Sequence, residues 1–193
     1  MKLVILDYGA GNVFSVQNAI KRLGYTAQVT SDEKLILSAD KVIFPGVGQA
    51  SAAMHKLKQT GLDKIIPKLT MPVLGVCLGM QLMCRSTEED STEGLNIFPI
   101  DVVRFKGDYK IPHMGWNNIF KLKTKLFSGI TENSRMYFVH SYYAPINEFS
   151  IANCDYWGEY SAAIHKDNFY GCQFHPEKSS DLGEKILKNF LEL

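Results

Sequence analysis

The feature that most constrains this chain is a recurring pattern in which a short, unbroken apolar run ends abruptly at glycine. Leu3-Val4-Ile5-Leu6 runs into Asp7-Tyr8-Gly9-Ala10-Gly11, and Lys41-Val42-Ile43-Phe44 runs into Pro45-Gly46-Val47-Gly48. A third run, starting at Pro72, reaches Gly75-Val76-Cys77-Leu78-Gly79. Runs that are apolar at every position suit strands covered on both faces, as in parallel sheets, whereas half-exposed strands alternate. Helical stretches lie between them. Asn12 is placed to cap one, Val13, Val16, Ile20 and Leu23 share one face of it, and Gly24 stops it. Ala53, Met54 and Leu57 mark a second. Strands alternating with helices predict an α/β fold with a mostly parallel central sheet and helices on both faces.

Past residue 85 the texture changes. Glu88-Glu89-Asp90 reads as a solvated loop. Residues 101–105, 116–120, 136–141, 150–154, 160–165 and 168–174 read as short strands whose spacing predicts antiparallel strands extending the sheet. A helix from Ser180 or Asp181, with Leu182, Ile186, Leu187, Phe190 and Leu191 on one side, closes the chain. No repeat or flexible linker interrupts it, so residues 1–193 are expected to form a single domain.

Several function classes are disfavoured. With 21 basic and 20 acidic residues the net charge is +1, which provides no global field for nucleic acid or an anionic membrane. No run approaches the roughly 18 apolar residues of a membrane span. The first apolar run is too short for a secretory signal, so a cytosolic location is expected. Cys77, Cys84, Cys154 and Cys172 include no C-x-x-C pair and suggest neither a disulfide framework nor zinc. Gly9-Ala10-Gly11 begins like a dinucleotide fingerprint, but Phe14 stands where the third glycine belongs, and no P-loop is present; no cofactor or metal is expected.

The chemistry concentrates around Cys77. G-x-C-x-G directly after a buried strand has the form of a nucleophile elbow, in which flanking glycines let a strained central residue present its side chain. At the start of the following helix a thiolate is favoured. A base is also needed, and Gln173-Phe174-His175-Pro176-Glu177 places an imidazole at a strand end with a carboxylate two residues on, so that Glu177 can hold one ring nitrogen and leave the other for sulfur. The Gly46-Val47-Gly48 loop, at the same carboxyl edge of a parallel sheet, and the N–H of Leu78 are the candidate oxyanion donors. His113 and His140 remain ambiguous, and Cys84, Cys154 and Cys172 read as core.

These residues resemble the class I (triad) glutamine amidotransferases, which hydrolyse glutamine and pass ammonia to a synthase. Pro112-His113-Met114-Gly115-Trp116-Asn117, Tyr137-Phe138-Val139-His140-Ser141-Tyr142 and His175-Pro176-Glu177-Lys178-Ser179-Ser180 are similar, more narrowly, to the glutaminase subunits of imidazole glycerol phosphate synthases. The resemblance implies Cys77 as nucleophile, His175 as general base and acid, and Glu177 as its orienter. It implies that Gln81 and Gly46–Gly48 hold L-glutamine, with Ser141 and Tyr142 near its α-amino and α-carboxylate groups. It further implies that Asn12, Trp116, Tyr137 and Lys178 face a (β/α)₈ cyclase on a separate chain, giving a heterodimer in histidine biosynthesis that needs no cofactor. Two alternatives stay open: a glutaminase feeding another synthase, such as one that amidates a surface sugar, and a noncatalytic or stress protein on the same sheet.

Overall fold

Residues 1–193 are all described in a computed structural model. The first half runs β1 (Leu3–Leu6), α1 (Val13–Arg22), β2 (Ala27–Thr30), α2 (Glu33–Leu37), β3 (Lys41–Gly46), α3 (Ala50–Thr60), α4 (Leu62–Ile65), β4 (Val73–Cys77) and α5 (Leu78–Met83). The second runs β5 (Cys84–Thr87), β6 (Thr92–Glu93), β7 (Phe98–Arg104), β8 (His113–Phe120), β9 (Ser134–His140), β10 (Tyr142–Tyr143), β11 (Ser150–Asp155), β12 (Glu159–Lys166), β13 (Phe169–Cys172) and α6 (Ser180–Leu191). No helix is long and apolar enough to cross a membrane.

A nine-stranded sheet in the order β2-β1-β3-β4-β13-β12-β11-β8-β9 carries the fold. Strands β1, β3 and β4 are buried at every position, as unbroken apolar runs require, whereas the edge strand β2 is not. From β2 to β13 the pairing is parallel, and from β13 to β9 it is antiparallel. Apolar side chains form two clusters of similar size, one centred on Ile5, Ile43, Phe138 and Phe190 and the other on Leu6, Phe44, Leu57 and Phe98. This is the α/β sheet with an antiparallel extension that the sequence predicts. In α1 the Asn12 Oδ1 accepts from the Ser15 N–H at 3.2 Å, and Val16, Ala19 and Ile20 are buried.

Three local expectations need correction. The strand near residues 101–105 does not extend the main sheet: as β7 it joins a separate four-stranded sheet, β10-β7-β5-β6. The cause is α5, which hands the chain directly to β5 and away from the main sheet, so that β7 pairs there in parallel. The acidic run is not merely a solvated loop. Glu89 Oε2 accepts from the Ala50 N–H at 2.8 Å, and Asp90 Oδ2 accepts from Gln49 Nε2 at 2.6 Å and Ser51 Oγ at 2.7 Å. Helix α3 has no side-chain cap of its own, and the orphan donors and partial positive charge at its start are met by acids about 40 residues away. Leu182, finally, is exposed, beside Trp116 and Arg135 at a surface recess, while Ile186, Leu187, Phe190 and Leu191 are buried.

The sheet brings backbone against backbone where β3 ends and α5 begins. A Cβ on Gly79 would collide with the Phe44 carbonyl oxygen, and one on Gly46 with the Gly79 nitrogen. Neither neighbour can give way. Gly79→Ala is therefore expected to destabilise the fold by about 3 kcal/mol, whereas Gly24→Ala, at φ 83 in open space, should cost only about 1 kcal/mol for its left-handed conformation. Urea unfolding of the two variants measures the contrast, and equal losses would contradict it.

Candidate active site

Cys77 closes β4 at φ 54 and ψ −110, an unfavourable conformation for a residue with a side chain. Packing enforces it: the chain turns from strand to helix within one residue, with the β3 backbone against the first turn of α5. Cys77 stands at the carboxyl edge of the sheet, and the residue is 7% exposed.

His175 comes to the same edge because β13 lies parallel to β4, with Cys172 opposite Val76. Its backbone is clamped. The His175 N–H donates to the Tyr137 carbonyl at 2.9 Å, while Ser179 Oγ donates to the His175 carbonyl at 2.7 Å and accepts from the Tyr137 N–H at 2.9 Å. Nδ1 of His175 pairs with Glu177 Oε1 at 2.8 Å, and both side chains are about 1% exposed. Nε2 is buried without a well-formed hydrogen bond. Burial by itself pulls this imidazole down, but Cys77 and Glu177, the groups acting on its charge, outweigh it and push it up to about 10.

A cavity of about 310 Å³ opens over these groups. Cys77, His175, Val47, Gly48, Leu78 and Gln81 line one part of it, and Ser141 and Tyr142 another. Of the sequence-derived binding residues only Gly46 is absent from the wall; it lies in β3 beneath, where any side chain would strike α5. Glu177 is likewise behind the wall, supporting His175. The Val47 N–H donates to no protein acceptor. Gln81 Nε2 donates to the Tyr142 carbonyl and to Gln173 Oε1, both at 2.8 Å, leaving Gln81 Oε1 without a protein donor. The Tyr142 wall is tied to the second sheet through its pairing with Arg104.

Beside Pro112, Val139 and His140, which also line the cavity, two polar groups at the site escape the sequence reading. Glu89 reaches the cavity, and its carboxyl is raised by burial. Gln173 is fully buried, and its Nε2 approaches Cys77 Sγ at 3.7 Å. A signal existed for Gln173: near a strand end, residues two apart share a side, and Gln173 precedes His175 by two. None existed for Glu89, whose place depends on the fold of a distant helix.

The residues assigned to a partner face lie together beside this edge. Trp116 is exposed and edge-on to Tyr137, with centroids 6.1 Å apart, and Lys178 is exposed on the turn that follows His175. Asn12 begins α1, which packs on that same Pro176–Lys178 turn.

Residues 4–193 match the family described as glutamine amidotransferase class-I. The chain belongs to that family. It is 56% identical over 196 residues to the "Imidazole glycerol phosphate synthase subunit HisH" of Bacteroides fragilis, and 46% identical over 196 residues to the protein of that name from Salmonella typhimurium, with both chains covered in full in each case. Among solved structures it superposes on one described as a glutamine amidotransferase with a TM-score of 0.76 at 16% identity, covering 98% of this chain and 97% of that one. It also superposes on that of PurLQS from Thermotoga maritima with a TM-score of 0.73 at 15% identity, covering 99% and 97%. These last two establish the fold alone.

The four thiols of this amidotransferase differ sharply in setting. Cys84, Cys154 and Cys172 are 0% exposed, and burial pushes all three thiols up, Cys154 to about 12. Iodoacetamide at neutral pH is therefore expected to alkylate Cys77 at least about tenfold faster than any other cysteine. Peptide mass spectrometry over time checks this, and alkylation spread evenly among the four would contradict it.

Proposed function

We propose that this chain is the glutaminase subunit of an imidazole glycerol phosphate synthase. It forms one domain over residues 1–193 and works beside a (β/α)₈ cyclase on a separate chain. The observation that carries the reading is the strained Cys77 facing a buried His175–Glu177 pair in a cavity large enough for an amino acid. The names of the full-length relatives supply the pathway.

The mechanism follows from where charge develops. Glu177 holds Nδ1, so Nε2 is the atom that exchanges a proton with sulfur. With its sulfur and carboxylate neighbours pushing His175 up, Nε2 is a base strong enough to take the Cys77 proton as sulfur attacks. Sulfur attacks the side-chain amide carbon of glutamine, and the C=O electrons move onto oxygen. Backbone N–H groups at Val47 and Leu78 receive that oxyanion. The tetrahedral intermediate collapses as Nε2 delivers its proton to nitrogen, breaking the C–N bond and releasing ammonia. His175, now a base, takes a proton from water, which attacks the thioester; expulsion of sulfur returns Cys77 and frees glutamate.

Substrate is held by its amino-acid end. Gln81 Oε1, which has no protein donor, and the Glu89 carboxylate suit an ammonium group; Ser141 and Tyr142, the latter bonded to Gln81 through its carbonyl, offer further polar contacts. Asn12, Trp116, Tyr137 and Lys178 form part of the cyclase-facing surface. Ammonia passes across that face to the cyclase, whose phosphoribulosyl formimino substrate it converts to imidazole glycerol phosphate and an aminoimidazole carboxamide ribotide. Passage within the complex keeps the ammonia out of bulk water, where it would be protonated.

Glutamate release from glutamine, with and without the cyclase and its nucleotide ligand, tests the proposal. Activity is expected to rise with the cyclase and to fall by at least about 10³-fold in Cys77→Ala. A fully active Cys77→Ala would refute the nucleophile, and indifference to the cyclase would refute the partner. Glu89→Gln should raise the KM for glutamine by about tenfold with a smaller change in kcat, as expected when a ground-state contact is lost. An unchanged KM would remove Glu89 from the substrate site.

A further inference from the structure

Two buried histidines, His113 and His140, lie outside the triad. They belong to a single hydrogen-bonded chain anchored at both ends by backbone groups. At one end the Tyr142 carbonyl accepts from His140 Nδ1 and from Gln81 Nε2, both at 2.8 Å. A carbonyl only accepts, so His140 Nδ1 carries a hydrogen. Burial holds both rings neutral, pushing His140 down to about 3 and His113 down to about 4. His140 Nε2 is therefore an acceptor and takes the hydroxyl hydrogen of Tyr160 at 3.2 Å. Having donated there, the Tyr160 oxygen must accept from His113 Nδ1, 3.1 Å away. His113 Nε2 is left to accept from Asn117 Nδ2 at 3.3 Å. That far end is pinned, because Asn117 Nδ2 also donates to the Asp155 carbonyl at 2.8 Å and Asn117 Oδ1 accepts from the Asn118 N–H at 2.8 Å.

One arrangement of hydrogens satisfies every member, and it puts both histidines in the Nδ1–H tautomer, the less common one for free histidine. Rotation of a ring would break it, and packing prevents that. The His113 ring is stacked against Tyr156, with centroids 4.0 Å apart, and against Phe138, at 5.0 Å. Beyond the Tyr142 carbonyl the chain continues through Gln81 to Gln173 and, at 3.7 Å, to the Cys77 sulfur.

We propose that His140 is a positioning residue for glutamine hydrolysis: held as the Nδ1–H tautomer through Tyr160 and His113, it fixes the Tyr142 carbonyl, which in turn orients the Gln81 amide on the cavity wall. This rests on the reading of that cavity as the glutamine site. The directionality matters because Gln81 offers its carbonyl oxygen to the cavity only while its NH₂ group is engaged by Tyr142 and Gln173. If the Tyr142 carbonyl is released, the Gln81 amide is free to turn and present the wrong end to an ammonium group.

The test joins a spectroscopic readout with kinetics. Nitrogen-15 NMR of the full-length chain is expected to show His113 and His140 both as Nδ1–H tautomers at neutral pH. Either ring found as Nε2–H overturns the proposal, whatever the variants do. In the complex with the cyclase, His140→Asn, whose amide can donate from the place of Nδ1, should keep the KM for glutamine within about threefold. His140→Gln, whose amide sits at the place of Nε2, should raise it by about tenfold or more while kcat changes less. Equal impairment of the two variants, or an unchanged KM in both, also overturns the proposal. An unmodified complex that releases no glutamate refutes the glutaminase reading instead, and the tautomers still decide whether the relay exists.

Discussion

The constraint on which the site depends is steric: the end of β3 and the start of α5 share a space that only glycine backbones can share. Gly46 and Gly79 meet there without side chains, and the helix begins immediately after Cys77. This closeness forces the left-handed conformation at Cys77, and the conformation lifts the sulfur out of the sheet. It also fixes the height of the Val47–Gly48 loop relative to the sulfur, since that loop continues directly from Gly46. Cys77 and the Val47–Gly48 loop are therefore positioned by one contact.

The His175–Glu177 half of the site is positioned by the sheet in a different way. Strand β13 is the hinge between the parallel and antiparallel halves, pairing with β4 on one side and β12 on the other. It therefore delivers His175 to the edge where Cys77 stands while Tyr137, on the far antiparallel strand β9, grips the histidine backbone. The same Tyr137 touches Trp116 on the exposed face. One strand thus contacts both the His175 turn and the exposed surface beside it.

What was legible in the sequence was local. The buried runs, the G-x-C-x-G elbow, the Asn12 cap and the His-x-Glu pair all declare themselves within a few residues, because strand burial, turn strain and ring orientation are set by near neighbours. What was not legible was carried by long-range packing. Glu89 looks like part of a solvated acidic run until α3 is seen to need acceptors at its uncapped start. Gln173 looks like a residue in a strand until Gln81 is placed across from it, 92 positions away. The second sheet is hidden for the same reason: β5, β6 and β10 are short, β7 reads like any strand of the main sheet, and α5 decides that they pair with one another rather than with the nine-stranded sheet.

The same side-chain types carry opposite properties according to what surrounds them. His175 is buried beside a carboxylate and is pushed up, whereas His113 and His140 are buried among a hydroxyl, an amide and a carbonyl and are pushed down. A neutral ring can hold one nitrogen as donor and the other as acceptor, so it transmits direction along a chain of hydrogen bonds; a cation, with two donors, cannot. On the proposed reading, proton transfer belongs to the histidine with an anionic partner, and alignment to the histidines without one. The Tyr142 carbonyl is where the two tasks meet, since it receives the neutral relay on one side and the amide of the glutamine cavity on the other. A second hydrogen on His140 would leave Nδ1–H on that carbonyl but put a donor at Nε2, where the Tyr160 hydroxyl now donates, and the relay would lose its direction.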